Sequence, residues 1–496
     1  MRYVSLCLLL SVFLVGQSYD VARAAQPELS GIPQQTYPLN LFRAGITFPS
    51  GGAYASAVAV ADVDRDGHPD ILVANQNGGA FGTVGVLLNH GQDTAFDSPV
   101  LYSTGATDPS AIAVADLNLD GKPDIVVTNS VMPNSGANNT IGVLRGRGDG
   151  TFGRVVLYSL GADPAAAVVV ADVNGDGYPD LITSGGDVLL NRGDGSFRRP
   201  THYGTGTGGS VAVSDVNRDG KLDMIVGYDT GVGVLLGNGN GTFQPEVSYI
   251  SAGYLVSAVG VSDFNGDGTP DIALVNSCTD SSCKGFGSLG ILLGNGDGSF
   301  QPAVTYSSDA LFSTSLAITD VDGDGRTDVL VGSLCAGTRS HCGTNGSVSP
   351  LFGHGDGTFQ PFYFYNTPSP VVSLVYADVN GGKPDVVFAS GASGLGIMGG
   401  QRVSSITTLV ASPNPAVANQ AVTFTSTVSA SAGIVPDGRQ VIFSDGGIQI
   451  GTAATVNGVA KFTTSLAAGN HSIKAYFPLA GAFKPSGHYI TEVVKP

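Results

Sequence analysis

Nine residues, Asp62-Val63-Asp64-Arg65-Asp66-Gly67-His68-Pro69-Asp70, put oxygen-bearing side chains at positions one, three, five and nine and glycine at position six. The pattern D-x-[DN]-x-D-G-x-x-D returns from Asp116, Asp172, Asp215, Asp263 and Asp320, and a shortened copy starts at Asp378. In a short loop alternate side chains point inward, and glycine takes the backbone angle that closes the turn. Four oxygens can then surround a hard cation. The chemistry expected of these stretches is calcium binding.

The elements that carry the loops read as strands. An EF-hand would need Glu at position twelve and helices on both sides. Position twelve of the first copy is Val73, and the flanks are apolar runs, Ala57 to Ala61 and Ile71 to Ala74. Pro69, Pro123, Pro179 and Pro270 occupy position eight and disfavour helix before them. The chain of 496 residues is rich in Gly, has 13% charged residues and lacks helical heptads, which predicts an all-β protein of more than one domain. A net charge of -17 argues against nucleic acid and anionic lipid as partners. Half of the 40 acidic residues lie in the six intact loops, so bound Ca²⁺ would neutralise most of that charge.

Residues 1–24 read as a signal peptide: Arg2, an apolar core from Val4 to Val15, and a small-x-small site at Ala22-Arg23-Ala24. The core is too short to span a bilayer, so the chain is expected to be exported: secreted, periplasmic or held at the cell surface. Residues 25–41 read as a linker. From Phe42 the chain is a repeat array. Each unit opens with an aromatic (Phe42, Phe96, Phe152, Phe197, Phe243, Phe300 or Phe359) and closes on a glycine turn of the Gly294-Asn295-Gly296-Asp297-Gly298 type. Phe42 precedes Asp62 by the same interval as Phe152 precedes Asp172, so the first unit reads as whole. Seven units of about four short strands each fit a β-propeller over residues 42–402.

The acidic loop, the Pro-Asp step and Leu-Leu-Gly-Asn-Gly-Asp-Gly-Ser-Phe together resemble the FG-GAP or VCBS-type repeat. That resemblance implies a seven-bladed propeller, related in design to the calcium-binding propeller of integrin α-subunits. It implies about six structural Ca²⁺ sites with these ligands: Asp62, Asp64, Asp66 and Asp70; Asp116, Asn118, Asp120 and Asp124; Asp172, Asn174, Asp176 and Asp180; Asp215, Asn217, Asp219 and Asp223; Asp263, Asn265, Asp267 and Asp271; Asp320, Asp322, Asp324 and Asp328. Position seven would add only a backbone carbonyl, so His68, Lys122, Tyr178, Lys221, Thr269 and Arg326 can all stand there. The copy Asp378 to Asp385 is one residue short and lacks the central Asp, so it is expected to bind calcium weakly or not at all. A degenerate last unit fits a ring closure.

Four cysteines fall in two variable loops. In an exported chain they are expected to form disulfides, with the local pairs Cys278–Cys283 and Cys335–Cys342 favoured over a four-cysteine zinc site. The variable loops follow the same strand in every unit and should share one face. They are long in units one, two, five and six. Phe81, Asn134, Asn138, Lys284, Phe286, Arg339 and Asn345 are the candidate contacts there. Arg147-Gly148-Asp149 and Arg192-Gly193-Asp194 spell an integrin-type tripeptide but lie in the glycine turns, and no catalytic constellation can be assembled from spacing.

After Gln401 the acidic loops cease. Residues 403–496 alternate as strands at Ala421 to Val428, Gln440 to Ser444, Ala460 to Thr464 and His471 to Phe477. They fit an immunoglobulin-like β-sandwich without a cysteine pair and resemble a bacterial Ig-like domain, a module used as spacer or adhesive stalk. The expectation is an exported binding or adhesion protein for a glycan or an extracellular protein. The alternatives are a polysaccharide lyase or dehydratase on the same scaffold, and a structural component of a surface assembly.

Overall fold

The computed structural model describes residues 41–91, 96–130, 139–160, 165–203, 208–336, 344–360, 364–381, 383–392, 394–401, 404–430, 435, 437–478 and 483–496. The signal stretch, nearly all of the linker, and Asn134, Asn138, Arg339 and Cys342 lie outside the described residues. The chain divides into two compact units, Phe42–Gln401 and one that contains Arg402–Pro496.

Among the described residues of Phe42–Gln401 there are seven four-stranded antiparallel sheets. The first is built from Ala55–Ala61, Asp70–Asn75, Thr83–Leu87 and Val100–Ser103, in that order from inner to outer strand. The inner strands touch their neighbours in cyclic order, and Ala55–Ala61 also meets the last inner strand, Ser373–Ala377, so the ring is closed. The second strands are predominantly apolar and almost wholly buried, completely so in Asp70–Asn75 and Asp124–Asn129, because they pack on a sheet at both faces. The core clusters accordingly straddle two sheets: Leu72, Val84 and Val86 with Ile125, Val127 and Leu144, and Ile71, Val73 and Leu87 with Val387, Leu395 and Ile397. This is a β-propeller.

The sheets are out of frame with the sequence units by one strand. The strand that follows each opening aromatic is the outermost strand of the preceding sheet, because the glycine turn folds it back on the third strand. The first unit is therefore not a sheet of its own. Its strand Ile46–Phe48 pairs with Leu395–Met398 and completes the last sheet. The opening aromatics seal the seams. Phe152, Phe197, Phe243, Phe300 and Phe359 each meet, edge to face, a tyrosine of the preceding sheet's outer strand or its end (Tyr102, Tyr158, Tyr203, Tyr249 and Tyr306), with ring centroids 5.3–5.4 Å apart. Phe42 with Tyr365 at 5.4 Å and Phe48 with Phe96 at 5.9 Å complete the circle.

In the other unit, Ser405–Ser412, Ala421–Ala430 and Val459–Ser465 form one sheet. Ala416–Val417, Ser486–Lys495, Gly469–Phe477, Gln440–Asp445 and Ile448–Ala454 form the other. Phe424, Phe443, Ile473, Phe477 and Phe483 are fully buried and fill the core without a cystine. The strands Ser405–Ser412, Ile448–Ala454 and Ser486–Lys495 are additions to the sequence reading: they are half-exposed and their alternation is diluted by Thr, Ser and Gly. Among the described residues no helix is long and apolar enough to cross a membrane.

Candidate metal centre

Each acidic loop joins the inner strand to the second strand, and position nine is always the first residue of that second strand. The loops and the glycine turns thus lie at one end of every sheet, and the variable loops lie at the other. Position six has the backbone that glycine tolerates best: φ is 91° at Gly67, 81° at Gly121, 86° at Gly177, 80° at Gly220, 77° at Gly268 and 81° at Gly325. A side chain at Gly67, Gly121, Gly177, Gly220 or Gly325 would meet nothing within 4 Å, so the requirement is conformational rather than spatial. In that conformation the glycine N–H donates to the position-one carboxylate in all six loops, at 2.7–3.0 Å. The N–H of position five donates to the oxygen of position three, as from Asp66 to Asp64 at 3.2 Å and from Asp120 to Asn118 at 3.2 Å. Backbone donors therefore hold the side-chain oxygens of positions one and three turned into the loop.

In loops one and six, three carboxylates come together: one oxygen each of Asp62, Asp64 and Asp70, and of Asp320, Asp322 and Asp328, lie within 4.8 Å of one another. Loops two to five carry Asn at position three, an oxygen donor without charge. Position-seven side chains lean outward over position five: Lys122 pairs with Asp120 and Lys221 with Asp219 at 3.2 Å, and Arg326 with Asp324 at 3.9 Å.

Position nine has a second role that the spacing did not reveal. Asp70, Asp124, Asp180, Asp223, Asp271, Asp328 and Asp385 are all buried. One oxygen accepts the N–H of position two of its own loop and the other accepts an N–H at the glycine turn of its own sheet. Asp70 takes Val63 and Asn89, both at 2.8 Å, and Asp385 takes Val379 at 3.1 Å and Gly400 at 2.8 Å. The same bonds recur at Asp223 and Asp271. This carboxylate latches the acidic loop to the glycine turn at the same end of the sheet, which is why the shortened seventh copy keeps it. The only sequence signal was its persistence at Asp385 in a loop that had lost a residue and its central Asp. Burial pushes Asp70 and Asp180 up to about 6 and Asp328 up to about 8, and raises Asp124, Asp223, Asp271 and Asp385 in the same direction.

The loops are also tied across the seams. The position-two carbonyl accepts from the next sheet's glycine turn: Val63 from the Gly150 N–H at 3.3 Å, Val173 from Gly241 at 3.1 Å, and Phe264 from Gly357 at 3.0 Å. Asn191 Nδ2 donates to Leu117 at 2.8 Å, and Asn89 Nδ2 donates to Val379 at 2.9 Å across the closure.

At the opposite end, the long variable loops follow Asp70–Asn75, Asp124–Asn129, Asp271–Cys278 and Asp328–Cys335. In those same four sheets the inner strand has a bulge, between Ala55 and Ala57, Pro109 and Ala111, Val256 and Ala258, and Ser313 and Ser315. A non-glycine residue with positive φ precedes each bulge: Tyr54, Asp108, Leu255 and Phe312. The bulged hydroxyl donates to a carbonyl of the next sheet: Ser56 to Pro109 at 2.6 Å, Ser110 to Ala165 at 3.0 Å, Ser257 to Ser313 at 2.9 Å, and Thr314 to Val371 at 2.8 Å. Phe81 is 66% exposed, Phe286 39% and Tyr54 48%. Lys284 and Asn345 are also exposed. Cys278 and Cys283 form a disulfide that closes one of these loops, which removes both thiols from any zinc site.

Residues 62–127, 131–183, 184–226, 215–274 and 275–331, more than half of the chain, match the FG-GAP-like repeat. The chain belongs to the FG-GAP-like repeat family. The FG-GAP array is followed by a match to the bacterial Ig-like domain (group 3) over residues 409–494. No curated protein matches the chain. Among solved structures, this FG-GAP protein is similar to a lectin of Agrocybe aegerita described as recognising non-reducing terminal N-acetylglucosamine. The two are 21% identical with a TM-score of 0.44, over 63% of this chain and 80% of the lectin. It is also similar to BBS1N in a complex with ARL6DN, at 14% identity and a TM-score of 0.47, over 73% of this chain and 97% of that one.

Proposed function

We propose that this protein is an exported, calcium-braced binding or adhesion protein whose variable-loop face contacts a glycan or an extracellular protein. Repeats of this family often bind Ca²⁺. The all-oxygen donor sets suit a hard cation, with Asp62, Asp64, Asp66 and Asp70 the type set and its five relatives alongside. Calcium would act there as a brace, because loops such as one, three and five are bonded both to their own sheet and to the next one. The observation that carries the binding reading is the coincidence, in the same four sheets, of long variable loops and bulged inner strands. Bulges redirect side chains and gather beside functional sites, and loops on a rigid scaffold are where contacts concentrate.

The test is retention of the full chain on immobilised glycans, polysaccharides and extracellular proteins, in calcium and in EGTA, with product formation measured alongside. Saturable binding weakened by Phe81→Ala or Phe286→Ala is the expected result. Turnover of a polysaccharide would move the protein to the lyase or dehydratase reading. Binding indifferent to the loop substitutions would remove the loop face from consideration.

A further inference from the structure

Loop one differs from the other five in what faces its fifth position. Loops two, four and six set a fixed cation, Lys122, Lys221 or Arg326, against that carboxylate. Loop one sets an imidazole there. His90, from the glycine turn of the same sheet, places Nδ1 3.5 Å from Asp66 Oδ2. Its Nε2 is 3.1 Å from Asp97 Oδ2. A hydrogen bond from Nε2–H to Asp97 leaves the Nδ1 lone pair facing the loop. One ligand atom each from Asp64, Asp66 and His90 lies within 4.8 Å of the other two. His354 holds the corresponding turn position beside loop six, but there Arg326 lies against Gly355 and pairs with Asp324, so a positive charge is already in place.

Three electron-pair donors facing one point repel one another, and a cation between them relieves that repulsion. A proton on Nδ1 is one solution. A divalent metal is the other, and the carboxylate behind the far ring nitrogen is the arrangement that orients and strengthens a metal-binding histidine. Imidazole nitrogen is a poor partner for Ca²⁺ and a good one for zinc, nickel or copper. We propose that Asp64, Asp66 and His90 Nδ1, with Asp97 as the positioning residue behind the imidazole, form a site for a borderline divalent transition metal, and that loop one alone among the loops has this preference. The site goes beyond the calcium reading and does not depend on it. The two ions would compete, because they share Asp64 and Asp66.

The full chain is titrated with Zn²⁺ in calcium-free buffer against a chromophoric chelator, and with Co²⁺ as a spectroscopic probe of nitrogen ligation. The expected result is one Zn²⁺ equivalent, weakened at least tenfold by His90→Ala and by His90→Asn. Asp97→Asn should weaken it by about 10–100-fold, the usual effect of removing such a partner. His354→Ala should leave it unchanged. Zn²⁺ uptake identical in wild type and both His90 variants would overturn the proposal, as would the absence of any bound equivalent in the wild type. A calcium melting titration of the same proteins reads the calcium loops separately, so failure of one reading is distinguishable from failure of the other.

Discussion

Aspartate at position nine is where one residue type serves two purposes. Its two oxygens each satisfy a backbone N–H that is otherwise buried, and a buried donor left without a partner costs about 1–3 kcal/mol. Asp385→Ala should therefore destabilise the propeller by roughly 2–4 kcal/mol, even though its loop lacks a full ligand set. Denaturant unfolding in EGTA checks this, and an unchanged midpoint would remove the latch. Glycine at position six is a conformational requirement only. Gly177→Ala should cost about 1–2 kcal/mol and Gly177→Asn less, because asparagine tolerates positive φ.

The same carboxylates set a pH dependence. Asp70 and Asp180 titrate near 6 and Asp328 near 8 in the fold, above their value of 3.8 in an unfolded chain. Between those limits the native state holds more protons than the unfolded one, so the metal-free protein loses stability as pH rises from about 4 to about 8. A cation replaces the protons. The melting temperature in EGTA should therefore fall over that range, and the gap between calcium and EGTA samples should widen with pH. A constant gap would contradict the assignment.

At the scale of the element, loop and sheet are one mechanical unit, since the loop is tied at its second and ninth positions. With free calcium at ten times Kd, each occupied loop adds about 1.4 kcal/mol. Chelation should lower the melting temperature cooperatively. Loops one and six, with four carboxylates each, should fill first, and loop two should trail because Arg145 stands 3.3 Å from Asp124. Calorimetric titration of Asp62→Ala and Asp116→Ala variants orders them. In the Ig-like unit, His471 Nδ1 lies 2.6 Å from Asp445 and Nε2 2.9 Å from the Ala467 carbonyl. Both acceptors favour the imidazolium and raise its pKa above 6.5, the Asp445 bond most. That stabilisation is complete below 6.5 and is lost as pH rises through the folded value. Proton NMR of the His471 ring should show a midpoint above 6.5, and His471→Ala should flatten this step.

For the whole propeller, closure is the decisive event. Ile46–Phe48 joins the last sheet from the opposite end of the array, and Phe42 and Phe48 complete the circle of aromatic seams. Edge-to-face pairs contribute about 0.5–1.5 kcal/mol beyond their burial. Removal of residues 42–48 should cost far more than any single Phe→Ala seam variant, because it unpairs Leu395–Met398 and removes the aromatic contacts at two seams at once. Loss of a single cooperative unfolding transition is the expected outcome, read by calorimetry.

The repeated acidic loops made the architecture legible, because a loop that must turn between strands needs glycine and oxygen donors at fixed spacing, and spacing is a local property. The opening aromatics marked the units for the same reason, and Cys278 and Cys283 could find each other because they are neighbours in the chain. The frame shift between unit and sheet was invisible, since which strand an edge accepts is settled only when the ring closes and Ile46–Phe48 finds Leu395–Met398. The latch at position nine and the bulges at Ser56, Ser110, Ser257 and Thr314 were equally hidden. Their hydrogen-bond partners lie in a distant turn or in the next sheet, and a serine in a strand looks the same whether its hydroxyl meets water or a neighbouring carbonyl. His90 looked like a turn substitution for the same reason: folding alone brings it to Asp64 and Asp66.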